Sequence, residues 1–188
     1  MSRKTVVLGV SGASGAILAH DIVTLLNRCG VGIDLVCSHM AERTYELELG
    51  PEALERLRGQ VSACHAPENL GATIASGSCP VHGMIVAPCS MRTLAAIAHG
   101  LDDSLLTRAA GVQLKERRPL ILLTREAPLT LAHLRNMVAV TEMGAIVLPP
   151  VPAFYLNPKS IEDISAQIAA RAIDLLRLSP PQASAWSG

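Results

Sequence analysis

An apolar run, Thr5-Val6-Val7-Leu8, enters the glycine-rich turn Gly9-Val10-Ser11-Gly12-Ala13-Ser14-Gly15 and leaves it as an apolar helical stretch from Ala16 to Leu26. A strand, a tight turn and a helix in that order constrain the chain toward an α/β fold. Glycines let the backbone turn sharply and approach a ligand, and a helix N-terminus presents unpaired N–H groups and the positive end of its dipole. Such a turn predicts an anion, and a phosphate-bearing ligand is its natural occupant. Ser14 is expected to cap the helix. The turn is not the usual dinucleotide fingerprint, since Ser11 stands where a second glycine belongs, and no Lys follows Gly15 as in a nucleotide-triphosphate loop. A bare strand-to-helix turn is the plainer alternative.

The rest of the chain repeats the alternation. Apolar runs at 5–10, 32–37, 83–87, 119–123 and 145–148 predict strands, and amphipathic segments at 14–28, 40–48, 91–98, 104–116, 129–142 and 160–176 predict helices. Strands apolar at nearly every position are buried on both faces. The expected fold is therefore a three-layer, Rossmann- or flavodoxin-like α/β domain with a mostly parallel sheet. It should span residues 1–179 and be followed by a tail, 180–188, that is mobile when isolated. Residues 51–80 read as irregular apart from a small helix near 52–58.

Composition removes several function classes. Sixteen basic and sixteen acidic side chains balance, and one Phe, one Trp and two Tyr give no stacking platform, so nucleic acid is not an expected partner. Five scattered cysteines show no metal or disulfide spacing, and no apolar stretch is long enough for a bilayer. The expected setting is cytoplasmic, with no membrane partner and with Cys37 and Cys89 as buried thiols at strand ends. No metal site is expected either, because the histidines lack ligand spacing.

In a doubly wound sheet, ligands sit beyond the carboxyl ends of the strands. Five polar or rigid loops fall there: Gly9 to Gly15, Ser38, Pro88-Cys89-Ser90-Met91-Arg92-Thr93, Thr124-Arg125-Glu126-Ala127-Pro128 and Pro149-Pro150-Val151-Pro152-Ala153-Phe154-Tyr155. Five such loops on one rim predict a site.

These loops, with Thr107-Arg108-Ala109-Ala110 and Leu114-Lys115-Glu116-Arg117-Arg118-Pro119, resemble the UbiX-type flavin prenyltransferases, in the wider family of homo-oligomeric flavoproteins that includes cysteine decarboxylases. The resemblance implies transfer of a dimethylallyl group from dimethylallyl monophosphate to N5 and C6 of reduced FMN, without metal. The prenylated FMN would serve a partner decarboxylase of the UbiD type. It implies a homo-oligomer, commonly a dodecamer, with site residues shared across subunits. By the same resemblance FMN is held by Gly12, Ala13, Ser14, Ser38, Ser90, Met91, Arg92, Thr93 and Arg125. The prenyl phosphate is held by Lys115, Arg125, Tyr155 and Arg171, with Trp186 as a cover. Ser14, Glu48 and Glu126 are the expected proton-moving groups.

The residues themselves leave plainer roles open. Lys115 could be the solvated end of a charged helix, Arg171 an ordinary helix-face charge, and Glu48 a solvent-facing carboxylate. Ser38 could serve as a helix cap, Arg108 could shape the site, and Trp186 could belong to a mobile tail. Gly111 stands where the family usually has an acidic residue. Two rival functions share the fold: a flavin-dependent decarboxylase of peptidyl or pantothenoyl cysteine, and an FMN-binding scaffold without activity. Decarboxylases carry an Asn-rich motif in the loop occupied here by 88–93 and use a catalytic His; His39 and His65 are the nearby histidines.

Overall fold

A computed structural model describes residues 3–186. Its parallel sheet contains β1 (Thr5–Val10), β2 (Gly32–Cys37), β3 (Ala63–His65), β4 (Met84–Cys89), β5 (Leu120–Thr124) and β6 (Ile146–Val147), in the order β3-β2-β1-β4-β5-β6. The helices are α1 (Ala16–Arg28), α2 (His39–Leu49), α3 (Ala53–Arg58), α4 (Met91–Ala98), α5 (Leu105–Lys115), α6 (Leu131–Glu142) and α7 (Ile161–Asp174). The last two residues of the predicted tail lie outside the described residues.

Strand periodicity explains the layers. Val6, Leu8 and Val10 of β1, Ile85 and Ala87 of β4, and Ile121 and Leu123 of β5 point into one core, packed with α1 and α7. Val7, Met84, Val86, Leu120 and Leu122 point the other way, against α4 and α5. Successive side chains of a strand face opposite ways, so a sheet covered on both sides needs apolar residues at every position. This is the three-layer domain expected.

The sheet has one strand more than expected. Ala63-Cys64-His65, within the segment read as irregular, pairs with Asp34 to Val36 at the sheet's edge. It is too short and too polar to show a strand period, and its pairing is a tertiary effect. Over its described residues the predicted tail lies against α7.

β1 neighbours both β2 and β4, and the chain reverses direction across the sheet between them. Loops leaving β1 and β4 diverge at this point and open a crevice at the carboxyl rim. Gly12 and Ser90 lie on those two loops.

Candidate active site

Ser11 ties the two loops of the crevice together. It is buried, its hydroxyl donates to the Pro88 carbonyl at 2.8 Å, and it accepts the Ser90 N–H at 2.8 Å. Its own N–H donates to the same Pro88 carbonyl at 3.2 Å. Gly12 then passes under α2 so closely that an added Cβ would stand 2.3 Å from the Met40 Cβ. Only a residue without a side chain fits there.

Between these loops lies a cleft of about 500 Å³ whose lining includes Gly12, Ser38, Ser90, Arg92 and Thr93. Ser90 caps α4, accepting the Thr93 N–H at 3.2 Å and donating to the Thr93 hydroxyl at 3.1 Å. Ser38 occupies the same position before α2, but its hydroxyl makes no cap hydrogen bond and is available to a ligand. Arg92 is ion-paired with Asp103, and His39 Nε2 contacts the Glu68 carboxylate, all four lining the cleft. Asp103 and Glu68 were missed in the sequence because nothing in their own segments marks them; the crossing of loops brings them in.

A second cavity, about 380 Å³, lies beyond β6, where Tyr155 and Arg171 meet Pro149, Gln167 and the tail. Tyr155 sits on a 3-10 turn, Phe154–Leu156, fixed by the proline-rich loop. The Trp186 ring meets the Tyr155 ring edge-on, with centroids 5.0 Å apart and planes at 89°. The chain's single Trp thus lines this cavity while staying 67% exposed.

Residues 1–173 match the Flavoprotein family. The flavin prenyltransferase UbiX of Neisseria meningitidis serogroup B is 46% identical over 185 residues, spanning 98% of this chain and 97% of that protein. UbiX of Escherichia coli (strain K12) is 41% identical over 188 residues, spanning 98% and 99%. The crystal structure of AnUbiX (PadA1) in complex with FMN and dimethylallyl pyrophosphate superposes with a TM-score of 0.95 at 43% identity, covering 100% of this chain and 99% of that one. The dodecameric FMN-dependent UbiX-like decarboxylase of Escherichia coli O157:H7 gives 0.92 at 42% identity, covering 98% and 100%. The chain belongs to the UbiX-type flavin prenyltransferases within the Flavoprotein family.

Several residues that this membership singles out sit otherwise than their segments predict. Ser14 does not cap α1. Gly15 takes the cap position in a left-handed conformation, φ 115°, without a side-chain cap. The anion at this helix terminus is Glu48, reaching across from α2. Its carboxylate accepts the Gly15 N–H at 2.9 Å and the Ala16 N–H at 2.8 Å. Two of the N–H groups that predicted a phosphate here, those of Gly15 and Ala16, are therefore already engaged. Nor is Glu48 a merely solvent-facing carboxylate. Desolvation pushes its pKa up, but the Ser14 side chain, the Gly15 and Ala16 amides and the Arg125 charge outweigh this and hold it below the usual range. Ser14, Glu48 and Arg125 are thereby brought together.

Glu126 follows Arg125 on the turn after β5 and accepts the Ala127 N–H at 3.0 Å. The Arg125 N–H donates to the Cys89 carbonyl at 3.0 Å, tying that turn to the end of β4. Ala13 and Met91 are half-buried and outside the lining of the cleft; Met91 packs against the core instead.

Lys115 is the clear departure. It ends α5, whose start lies beside the cleft at Ser104, and 11 residues of helix carry it about 16 Å toward the opposite end of the sheet. There its ammonium pairs with Glu116 at 2.8 Å. Within one chain Lys115 joins neither cavity. Arg108, which lies on the same helix, is 4.0 Å from Asp102, and a Cβ at Gly111 would meet that same carboxylate at 3.2 Å. Cys37 and Cys89 are buried as expected, and burial pushes both thiols up to about 12. Cys64 is exposed, unlike a structural thiol.

Proposed function

We propose that the chain transfers a dimethylallyl group from dimethylallyl monophosphate to N5 and C6 of reduced FMN, making prenylated FMN for a UbiD-type decarboxylase. The observation that carries this reading is the order of sites across the sheet. The polar cleft lies over β2, β1 and β4, the Arg125-Glu126 turn follows β5, and the cavity of Tyr155 and Arg171 lies beyond β6. An acceptor site, a charged turn and a phosphate-binding apolar pocket stand side by side. A relative at 43% identity holds FMN and dimethylallyl pyrophosphate together.

The cleft suits FMN in size and chemistry. Gly12 presents bare backbone, Ser38 a hydroxyl without a cap bond, and Ser90 and Thr93 line the start of α4, where the helix dipole favours a phosphate. When bound, reduced FMN supplies the nucleophilic N5 and C6 positions. Arg171 and Tyr155 hold the departing phosphate as the allylic C–O bond breaks and negative charge collects on its oxygens. Glu126 protonates that phosphate, with Arg125 orienting it. Trp186 covers the allylic carbons with a π face that attracts positive charge. Ser14 and the α1 amides hold Glu48 ionised before the reaction, so that its carboxylate is free to take the flavin proton relayed through Ser14.

Arg171 is the one cation that a single chain supplies to the cavity among the described residues. The assembly is a homo-oligomer, a dodecamer like that of the Escherichia coli O157:H7 relative. Exposed Leu131, Leu134 and Val138 on α6 support such packing, since their spacing makes an apolar stripe and Val140 is that helix's buried residue. Lys115 then reaches a phosphate site in another copy. All five cysteines are free thiols and no described helix is long and apolar enough to cross a membrane, which supports a cytoplasmic setting.

The deciding experiment is anaerobic incubation with reduced FMN and either dimethylallyl monophosphate or the pyrophosphate, followed by mass spectrometry of the extracted flavin. A gain of one dimethylallyl unit, with the monophosphate preferred and the gain lost in Glu126→Gln, is the expected result. Unchanged flavin from FMN-loaded, assembled protein would overturn it and favour the decarboxylase reading.

A further inference from the structure

We infer that Gln167 and Asp174 are positioning residues for Trp186: they pin the C-terminal tail along α7 and so set the wall of the prenyl phosphate cavity. The inference rests on the prenyl-transfer reading of that cavity. Three consecutive tail residues are held through their backbones. Asp174 accepts the Gln182 N–H at 2.6 Å and the Ala183 N–H at 3.1 Å. The Gln167 side-chain amide makes a reciprocal pair with Ser184, accepting its N–H at 3.1 Å and donating to its carbonyl at 3.1 Å. This pair treats the tail as a neighbouring strand would and fixes its register. Two residues later, Trp186 stands edge-on to Tyr155.

The pins share a face of α7 with Arg171, at steps of four and three residues, and all three line the cavity. An acidic side chain three residues after an arginine in a helix ordinarily competes for it as an ion-pair partner. Here both Asp174 oxygens accept tail amides instead, leaving the Arg171 guanidinium to the cavity. Docking the tail therefore seats the aromatic wall and keeps the phosphate-binding cation available. The tail segment has little else to hold it, since Gln182, Ser184 and Trp186 are exposed.

Trp186 is the only tryptophan, so its emission reports tail position directly. Time-resolved anisotropy on the assembled, FMN-loaded protein should show an indole that tumbles with the whole particle. Gln167→Ala and Asp174→Ala should each add a fast nanosecond component. Each should also weaken binding of dimethylallyl monophosphate by about five- to thirtyfold, as expected for one or two lost hydrogen bonds, and raise KM more than they lower kcat. Binding of FMN should not change. Gln167→Glu, which keeps the acceptor but loses the donor, and Asp174→Asn, which keeps one of two acceptors, should fall between. A wild-type anisotropy decay in both alanine variants would overturn the inference. So would a released indole with unaltered affinity for dimethylallyl monophosphate. Loss of prenyl transfer in the wild type would strike the reading of the site instead, and leaves both of these measurements valid.

Discussion

The carboxylate of Glu48 closes the N-terminus of α1, accepting the Ala16 N–H at 2.8 Å from a helix 32 residues further along the chain. It places a negative charge at the positive end of the α1 dipole and leaves Ser14 beside it. Glu48→Ala should destabilise the protein by about 1 kcal/mol, the typical loss of a helix cap. Glu48→Gln should lose less stability but most of the prenyl transfer, since an amide cannot receive the proton.

The same pair sets a pH dependence. Because the folded state lowers the Glu48 pKa, the carboxylate contributes stability above its unfolded value, and that contribution is lost as pH falls through the folded value. Urea unfolding of the wild type and Glu48→Gln should differ most near neutrality. The difference should shrink below about pH 4, where the unfolded-state carboxyl is already protonated. A gap that widens toward acid would mean that the carboxylate is not what stabilises the helix terminus.

This carboxylate also shows where sequence reading reaches its limit. Gly12, Gly15 and the helix after them were legible, because glycine spacing and apolar periodicity are local signals. The carboxylate that pairs the Gly15 and Ala16 N–H groups was not legible, because it arrives from α2. Ser11 was seen only as a departure from a glycine pattern, whereas its hydroxyl bridges to Pro88 and Ser90, 77 and 79 residues away. β3 was invisible because its strand character comes from its neighbour. The residues named through resemblance, Tyr155, Arg171 and Trp186, do share one cavity, although nothing in their own segments required it.

Ser11→Ala tests the bridge. The change removes the hydroxyl that bridges the two loops and leaves the Ser90 N–H without its partner, at a cost of about 1–3 kcal/mol for a buried group. Because Ser90 and Gly12 both line the cleft, FMN affinity should fall together with the urea midpoint. A flavin fluorescence titration beside a denaturation curve checks both. Loss of stability with unaltered FMN affinity would reduce Ser11 to a structural role.

Gly12→Ala should weaken FMN binding by about tenfold, within the usual 1–3 kcal/mol range for overpacking. The new methyl would stand 2.3 Å from the Met40 Cβ, so α2 must move away and carry Ser38 with it. Met40→Ala should not rescue the variant, because alanine keeps the offending Cβ. Met40→Gly should restore part of the affinity. Rescue by Met40→Ala instead would place the conflict further out along the side chain.

Lys115 provides the sharpest test of how the assembly works. Its ammonium lies at the far end of α5 from the cleft of its own chain, paired with Glu116, and Arg171 belongs to the cavity beyond β6, which Lys115 of the same chain does not line. If Lys115 serves the phosphate of another copy, Lys115→Ala and Arg171→Ala each abolish a different half of the same composite site. Each homogeneous variant should then be nearly inactive, with Arg171→Ala raising KM for dimethylallyl monophosphate by about 10- to 150-fold through loss of a charged hydrogen bond. Mixed assemblies refolded from the two variants should regain activity, because some interfaces pair an intact Lys115 from one chain with an intact Arg171 from its neighbour. Mass spectrometry of the extracted flavin reads the result directly. Mixed assemblies that stay inactive, from subunits shown to have exchanged, would confine the chemistry to a single chain and make Lys115 the charged helix end that its segment resembles.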